Sequence, residues 1–587
     1  MKKLATVFIV FLVLMGGLPV QVWGQPSDFA EEEAAYRQAL QYIQQHRKNN
    51  VTLTILDQTG HPVSNANVSY QQTSHDFVFG IFGSPWAIPE DSDAKGWALY
   101  SNLCSANPEV ELDWEMWATI EPAKGTFHWN KADWWFQRIT DHCPSARFVL
   151  MFDDLACCGV KVASWTGISN LSNASAFGKF KQYLHDYVYQ VVKRYSDRVD
   201  WWITENELNA SPASDTLGSM GKEIDVDHTV VQAIKDANSD SRIILMAGLY
   251  PHYASNGQLE FADPIDFARQ ALASGIQVND VSVEAYPTHF GGQIRTPLFY
   301  QQYTRNMASV LHKPVFVQET GYPSQPCAAC GTADWATAWN GIFDEPTQAA
   351  WVRYMTTDMF GTDGVIGVVN FPYHTPTATS LFRDFGLFTT GGYAKQAYYV
   401  LLNQTQMFTT SGNSSTNTDG VVMFRGSAGN YTISLPGYES TTIHVSEQGN
   451  NTFTLTISSL ALRNEASQTL EKAYANLTAA PASFQSPEAK SLLAQSFDEY
   501  NIAQQDFNLK AYEATILHAQ EALNLLHQAY SKEYQQVAAS TQKYAATTIE
   551  SVGVEEAFVG AAVLVGLSLF AIMLWRRRRS PVRGRPN

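Results

Sequence analysis

Positive charge is scarce in this chain. Its 39 lysines and arginines stand against 56 aspartates and glutamates, which gives a formal net charge of −17. A nucleic-acid-binding protein needs a basic surface, so this balance argues against that class. The low hydrophobic content typical of disordered chains is also lacking, because 45% of the residues are hydrophobic. Wholesale disorder is therefore excluded, and 587 residues are too many for one domain.

Cysteine is rare as well. A zinc site could be formed by four of the cysteines, Cys157, Cys158, Cys327 and Cys330. The adjacent pair Cys157 and Cys158 is, however, poorly spaced for tetrahedral ligands. Outside the reducing cytosol, disulfides are the favoured interpretation, with the pairing left open. The six candidates, all within the predicted catalytic domain, are Cys104, Cys143, Cys157, Cys158, Cys327 and Cys330.

The two ends of the chain predict its location. Two lysines, an apolar run from Val7 to Val20 and the small residue Gly24 predict a signal peptide over residues 1–24. Residues 557–575 are uncharged and apolar, long enough to span a bilayer core at about 1.5 Å per residue. Four arginines follow, in a basic cytoplasmic tail over 576–587. We expect a single-pass type I protein of the cell membrane with its catalytic domain outside. The alternative, a buried core helix, is disfavoured by those arginines.

The central part of the chain predicts a (β/α)8 TIM barrel, an α/β fold, over residues 73–403. Apolar strand candidates alternate with helical stretches, which indicates a parallel sheet. Eight such repeats are typical of a TIM barrel with insertions. The strand candidates are 77–82, 110–114, 147–152, 199–205, 242–248, 280–286, 314–318 and 365–371.

Smaller units flank the predicted barrel. Residues 25–72 predict an N-terminal helix and a β-hairpin, or part of a small β-sandwich, from alternating segments at 51–57 and 66–72. Residues 404–460 predict a small accessory β-domain. Residues 461–550 have helical periodicity broken by Pro481 and Pro487, and predict a helical hairpin or stalk that holds the domain off the membrane.

Two glutamates carry most of the functional information. Glu207 ends the segment Trp-Trp-Ile-Thr-Glu-Asn-Glu and Glu319 ends Pro-Val-Phe-Val-Gln-Glu, on the fourth and seventh predicted strands. Acidic residues at the carboxyl ends of barrel strands are typical of catalysis, and two facing carboxylates are what glycoside hydrolysis requires. Glu207 would be the general acid and base, Glu319 the nucleophile, and the Asn206 amide a donor to the sugar 2-hydroxyl. Glu205 is a competing acid placed deeper in the barrel. Taken singly, each glutamate could equally be a helix cap or an ion-pair partner.

The placement of these residues resembles the clan of retaining barrel glycosidases. Within it, Ala118 to Phe127 is similar to the segment after strand two of glycoside hydrolase family 10, the xylanases, and Val51 to Gly80 resembles their lead-in. The resemblance covers roughly residues 50–403. It implies a (β/α)8 fold, no cofactor, no metal and a β-1,4-linked polysaccharide or oligosaccharide substrate.

The resemblance also suggests substrate-binding residues, several of which depart from the family pattern. Met116 replaces a lysine, Phe152 and Asp153 replace a Trp-His pair, and Tyr286 stands where a histidine holds the nucleophile. Asparagine in the family corresponds to Asp113. The candidate substrate-binding set is Asn206, Tyr286, Trp117, Asp113, Asp153, His289 and Tyr373.

The sequence leaves alternatives open. The leading hypothesis is a xylanase-like retaining endo-β-1,4-glycanase, with a β-1,4-glucanase (cellulase-like) close behind and a β-mannanase or exo-acting glycosidase further alternatives. A surface carbohydrate-binding or surface-layer protein is the alternative outside the enzymes. The oligomeric state is not predicted.

Overall fold

The computed structural model describes residues 30–82, 103, 107–109, 116–144, 146–152, 163–167, 171–209, 217, 219–248, 262–287, 295–325, 339, 343–371, 384–389, 392–481 and 484–551. The predicted signal peptide, the predicted membrane helix at 557–575 and the basic tail lie outside these ranges. Within them, no helix is both long and apolar enough to cross a membrane.

Eight parallel strands form the central sheet. They are β3 (Val78–Phe82), β4 (Asn107–Glu109), β5 (Phe148–Phe152), β6 (Val199–Glu205), β7 (Arg242–Met246), β8 (Asp280–Ala285), β9 (Val315–Thr320) and β10 (Val365–Asn370). Their order is β4-β3-β10-β9-β8-β7-β6-β5, and β4 and β5 approach within 8 Å. This is the strand order of a (β/α)8 barrel, so the eight-strand parallel prediction is confirmed. The second strand lies at 107–109, ahead of its predicted position at 110–114, whose residues the structure does not describe.

Helices follow the strands because their apolar faces need the sheet. They are α2 (Met116–Ile120), α3 (Asn130–His142), α4 (Ala174–Tyr195), α5 (Met220–Ala237), α6 (Pro264–Ala273), α7 (Pro297–Leu311), α8 (Glu345–Phe360) and α9 (Gln396–Phe408), after an N-terminal α1 (Ala30–Tyr42). Local signals set their starts: Asp263, Thr296 and Asp344 each accept a first-turn backbone N–H through the side chain. Proline also stands in the first turn of each of these three helices, where its missing N–H costs nothing.

The flanking strands form a β-sandwich, not a hairpin. β1 (Lys48–Leu56) lies in one sheet with β12 (Val421–Ser427) and β15 (Asn451–Thr456). β2 (Asn67–Gln72) lies in the other with β11 (Ser411–Ser415), β13 (Gly429–Ser434) and β14 (Thr441–Val445). Of the two alternatives predicted for the strands of residues 25–72, the hairpin is therefore excluded, and the structure shows part of a small β-sandwich. Alternation alone could not exclude it, because the true partners are more than 300 positions away.

Arg47 connects the β-sandwich to the amino end of the barrel through hydrogen bonds. A π-helical turn, Ile43–Arg47, links α1 to β1. The buried Arg47 guanidinium donates to the carbonyls of Phe360, Thr362 and Val365 at 2.7–2.8 Å and to the Glu447 carboxylate of the sandwich. The start of the chain is thereby joined to the turn that precedes β10.

The C-terminal region has three helices rather than the two of a hairpin. They are α10 (Leu460–Thr478), α11 (Pro487–Asn508) and α12 (Tyr512–Ser551). The additional break falls at Lys510, whose φ of 61° ends α11. Glu439 of the sandwich binds Arg463, Lys510 and Tyr512 at 3.0–3.1 Å, so the helices are attached to the β-sandwich.

One cysteine of the six lies in the described residues. Cys143 is disulfide-bonded, which confirms the disulfide prediction for this residue. The other five cysteines, and hence its partner, lie outside the described ranges.

Candidate active site

The carboxyl ends of β6, β8 and β9 bring four of the predicted residues to one edge of the sheet. Asn206 and Glu207 come directly after β6, Tyr286 directly after β8, and Glu319 near the end of β9. Parallel strands place these positions at the same rim. All four residues are buried.

The strands that lead to Glu207 and Glu319 each have a pairing irregularity near the carboxyl end, two residues before Glu207 in β6 and directly before Glu319 in β9. In β6 the pairing with β5 passes from Ile203 to Glu205. In β9 the pairing with β8 passes from Val317 to Glu319, so that Gln318 is the extra residue. Such bulges bend a strand and re-aim its side chains, and they are common beside active sites.

Glu207 has an unusual backbone. Its φ is 45°, in the left-handed region that non-glycine residues rarely adopt. Its side chain is only 6% exposed. Backbone strain of this kind typically costs about 1–3 kcal/mol and is concentrated at functional sites. The surrounding structure thus holds Glu207 in a conformation that its own sequence does not favour.

Glu319 is held by the tyrosine predicted for that role. The Tyr286 hydroxyl donates to Glu319 Oε2 at 2.6 Å. Burial raises the pKa of Tyr286 well above its usual value, and the charges of Glu319, Glu284 and Glu207 raise it further. The hydroxyl therefore keeps its proton and acts as a donor, which favours the ionised form of its carboxylate partner. Because both Glu207 and Glu319 act on this hydroxyl, the two carboxylates lie in one electrostatic environment.

Further contacts fix the strands that carry these groups. Trp351 Nε1 donates to Thr320 Oγ1 at 3.0 Å, and that hydroxyl donates to the Ala285 carbonyl at 2.7 Å. The Tyr300 hydroxyl donates to the Tyr286 carbonyl at 2.6 Å. These bonds join β8 to β9 one residue away from the Tyr286–Glu319 contact, so the donor and the carboxylate are kept in register.

Gly321 is required by a close approach. A Cβ atom at this position would lie 2.4 Å from the Phe371 carbonyl oxygen and 2.8 Å from the Phe385 ring. Only glycine lets the chain leave β9 so close to the end of β10. The Glu-Thr-Gly segment thus combines the carboxylate with the turn that follows it.

Two further acids lie deeper. Glu205 is completely buried in β6, and Glu284 of β8 pairs in register with Glu319 and is also buried. The sequence identified Glu205 as a competitor of Glu207, and the structure places it one layer below the rim. Neither is as close to solvent as Glu207 and Glu319.

Asn370 is a rim residue that the sequence reasoning did not select. It ends β10 and is buried, and within the described part of the chain neither its Oδ1 nor its Nδ2 has a hydrogen-bond partner. A buried amide without partners costs free energy unless a ligand satisfies it. The signal that identified the glutamates, a polar residue ending an apolar run, applied here as well.

Of the remaining predicted substrate residues, the structure describes one, Trp117, and does not bring it to the rim. Trp117 is completely buried, stacks on Tyr187 of α4 at 5.0 Å and donates to Glu121 Oε2 at 2.9 Å. The structure thus corrects the substrate-binding assignment of Trp117: it packs against a helix of the outer layer, which leaves no ring face for a sugar. Asp113, Asp153, His289 and Tyr373 lie outside the described residues.

No cluster of histidine, cysteine or acidic side chains suited to a metal ion occurs among the residues the structure describes. What the rim offers is acid–base chemistry: two buried glutamates, a protonated tyrosine hydroxyl and two amides. Such a set can protonate a leaving oxygen, attack an electrophilic carbon and bind hydroxyl groups.

Comparisons with known proteins give structural matches only. No family model and no curated protein matches the chain. Among solved structures, the chain is similar to the beta-glycosidase BGL167 at 16% identity, over 57% of this chain and 97% of that one, with a TM-score of 0.40. It is similar to xylanase B from Clostridium stercorarium F9 at 15% identity, over 56% of this chain and 97% of that one, with a TM-score of 0.40. It is also similar to the Ignisphaera aggregans GH53 catalytic domain at 15% identity, over 56% of this chain and 95% of that one, with a TM-score of 0.39. These names are all of glycosidases, but similarity this low assigns no activity, and the family 10 resemblance stays a prediction.

Proposed function

We propose that this chain is a retaining glycoside hydrolase that cleaves β-1,4-linked polysaccharide by double displacement. The observation that carries the proposal is the pair Glu207 and Glu319 at the ends of β6 and β9, with the Tyr286 hydroxyl 2.6 Å from the Glu319 carboxylate. Catalytic residues in barrels of this type come from the carboxyl ends of different strands. A xylanase-like endo-glycanase is the leading form, with a β-1,4-glucanase next.

The first half-reaction forms a covalent intermediate. The Glu319 carboxylate attacks the anomeric carbon, while the protonated Glu207 carboxyl gives its proton to the leaving glycosidic oxygen. The Tyr286 hydroxyl keeps Glu319 ionised and oriented before attack. The Asn206 amide donates to the 2-hydroxyl, a hydrogen bond that strengthens in the oxocarbenium-like transition state.

The second half-reaction releases the sugar. Glu207, now a carboxylate, takes a proton from water, and the resulting oxygen nucleophile attacks the anomeric carbon and displaces Glu319. Two inversions give net retention. This route requires the two carboxyl groups to stand about 5–5.5 Å apart, because a wider gap would admit water in the first step.

The test is reducing-sugar release by a soluble ectodomain, residues 25–550, on xylan, carboxymethyl-cellulose, barley β-glucan and mannan. Glu319→Ala and Glu207→Ala are assayed beside it. We expect release from one polymer and its loss in both variants. Release that persists in Glu319→Ala, or no release by a folded ectodomain from any polymer, would contradict the proposal.

Retention has its own measurement. NMR of the first-formed product of an aryl β-glycoside should show the β-anomer. Azide should restore turnover of an activated aryl glycoside by Glu207→Ala, giving a β-glycosyl azide, because that variant still forms the intermediate. An α-product would exclude the double displacement.

We also propose that the enzyme is displayed outside the cell on a C-terminal anchor. The support is the sequence of the two ends and the disulfide-bonded Cys143, since disulfides persist outside the reducing cytosol. Full-length protein should sediment with membranes and lose its activity from intact cells on external protease treatment. A chain ending at residue 550 should be released to the medium.

A further inference from the structure

The side chain of Gln318 lies inside the barrel, beneath the rim. It is completely buried, and its Nε2 donates to Asn206 Oδ1 at 3.3 Å, across the barrel from β9 to the end of β6. Its Oε1 accepts from Ser282 Oγ of β8 at 2.7 Å. Gln318 is therefore in direct contact with the amide assigned to the substrate.

The bulge in β9 explains how Gln318 reaches this position. Successive side chains of a regular strand point to opposite faces, so Gln318 and Glu319 could not both face the barrel axis. The pairing with β8 passes from Val317 to Glu319, and the extra residue turns Gln318 inward beside the carboxylate. The same strand thus supplies the nucleophile and a contact to Asn206.

A methionine decides which way the Gln318 amide points. Gln318 Nε2 lies 2.9 Å from Met151 Sδ of β5. A thioether sulfur accepts hydrogen bonds but has no proton to donate. The Gln318 atom beside it must therefore be the NH2 group, and the Oε1 end must face Ser282, whose hydroxyl can donate.

The orientation of the Gln318 amide also determines the orientation of the Asn206 amide. Because Gln318 presents an N–H, the Asn206 atom that meets it must be the acceptor Oδ1, and the Asn206 NH2 group must point elsewhere. We propose that Met151 and Gln318 together fix the Asn206 amide with its NH2 group facing the substrate 2-hydroxyl, so that Gln318 is a positioning residue for the glycosidase reaction. This inference rests on the proposed function.

The test compares substrates with and without the 2-hydroxyl. Gln318→Leu and Asn206→Ala are assayed on 2,4-dinitrophenyl β-xylobioside and β-cellobioside, and on analogues deoxygenated at C2 of the ring next to the leaving group. We expect Gln318→Leu to lower kcat on the parent substrate on the order of 10- to 100-fold, with little change in KM. On the 2-deoxy analogue its rate should equal that of the wild type.

Two controls separate positioning from packing. Gln404→Leu removes a buried glutamine that donates to the Arg353 carbonyl and to Thr357 Oγ1 between α8 and α9, so it should leave the dependence on the 2-hydroxyl unchanged. Gln318→Leu placed in the Asn206→Ala background should add nothing further, because both changes remove one interaction.

Met151→Leu is the second variant and conserves volume, so it should fold even if Gln318→Leu does not. It removes the acceptor that orients Gln318, and a smaller loss of kcat with the same 2-hydroxyl signature is expected. Equal losses on both substrates, additivity with Asn206→Ala, or no loss in either variant would overturn the positioning role. A wild-type enzyme inactive on all four substrates would instead overturn the proposed function.

Discussion

Two residues at the carboxyl end of the barrel, Glu207 and Asn370, differ from Arg47 at the amino end in how their buried polar groups are held. At the carboxyl end, Glu207 has a left-handed backbone and Asn370 has an amide with no partner among the described residues. At the amino end, Arg47 places its donors on three backbone carbonyls and one carboxylate. Glu207 thus keeps backbone strain and Asn370 keeps unused hydrogen-bonding capacity, whereas the donors of Arg47 are bound.

The amino end is further packed by cations on aromatic rings. Arg147 and Arg242 lie over the Trp201 ring, 4.9 and 5.4 Å from its centroid, and Arg242 also binds Asp280 through two hydrogen bonds. A cavity of about 280 Å³ lies beside them, between the barrel base and the sandwich. Stability is expected from this end and chemistry from the other. Changes at the two ends should therefore separate activity from folding.

The largest effect is expected for Glu319→Gln at the carboxyl end. The amide cannot attack the anomeric carbon, so kcat should fall roughly 10⁴-fold or more, as for other covalent nucleophiles. The melting temperature should be unchanged or raised, because a buried charge is removed. Steady-state kinetics and calorimetry measure the two. A strongly lowered melting temperature would show that Glu319 is structural.

Next in size is Arg47→Leu at the amino end. It leaves the carbonyls of Phe360, Thr362 and Val365 without their donor, and should lower the free energy of unfolding by about 2–4 kcal/mol. Denaturant unfolding measures this, and kcat per folded molecule should not change. Arg37→Leu is the control, since Arg37 is 73% exposed in its ion pair and should matter by less than about 0.5 kcal/mol. Equal effects of the two changes would contradict the assignment of Arg47.

Asn370→Leu should move activity and stability in opposite directions. If the Asn370 amide serves a sugar hydroxyl, kcat/KM should fall about 10- to 100-fold. Loss of a buried amide without partners should raise the free energy of unfolding by about 1 kcal/mol.

Asn451→Leu is the matched control for that change. Asn451 is buried in the sandwich and makes two hydrogen bonds with the Ser446 backbone. Its loss should therefore destabilise the protein by about 1–3 kcal/mol without changing kcat. If Asn370→Leu also destabilises and leaves kcat/KM intact, Asn370 is a packing residue.

The last test concerns the pH dependence of stability at a buried acid in α8. Among the residues that the structure describes, neither carboxylate oxygen of Asp358 in α8 has a hydrogen-bond partner. Burial, followed by the charge of Glu32, raises the pKa of Asp358 well above 3.8. Above pH 3.8 the unfolded chain releases this proton while the folded chain keeps it. Stability is therefore lost as the pH rises toward the folded pKa, by up to about 1.4 kcal/mol per pH unit.

Asp358→Asn should abolish that part of the pH dependence. It should match the wild type near pH 4 and be more stable at pH 7, by melting temperatures across this range. The exposed Asp240→Asn is the surface control. Activity should survive in Asp358→Asn, since burial without a catalytic partner does not make a carboxyl group reactive. A stability difference between the wild type and Asp358→Asn that does not grow from pH 4 to 7 would contradict the raised pKa.

Much of the fold could be predicted because its signals are local. The apolar residues at the start of the predicted strand 314–318 indicate a buried strand, which the structure places at Val315–Thr320. Asp344, followed by a proline in the first turn of α8, indicates where that helix begins. The observed second strand at Asn107–Glu109 and the choice between hairpin and sandwich were not predicted, for the opposite reason. The segment around β4 has a weak apolar pattern, and β1 and β2 alternate in a way that suits a hairpin and a sandwich equally.

The site could be predicted only in part. Glu207 and Glu319 were selected as candidates because burying a charged residue at the end of an apolar run costs free energy unless the residue has a structural or chemical role. Trp117 was misassigned because an aromatic residue after a strand can pack outward or line a cleft, and the side of the helix that it occupies is a tertiary property. Gln318 was missed because regular alternation would point it away from the axis.

The sequence by itself determined the alternation of strands and helices, the two glutamates at strand ends and the apolar segments at both termini, since each depends on neighbours in the chain. Only the tertiary structure decided the left-handed backbone of Glu207, the inward turn of Gln318 and the partners of Arg47. The physical reason is that these features depend on contacts between residues far apart in the chain. Packing across the barrel supplies the free energy that holds a strained backbone, opens a bulge and desolvates an arginine.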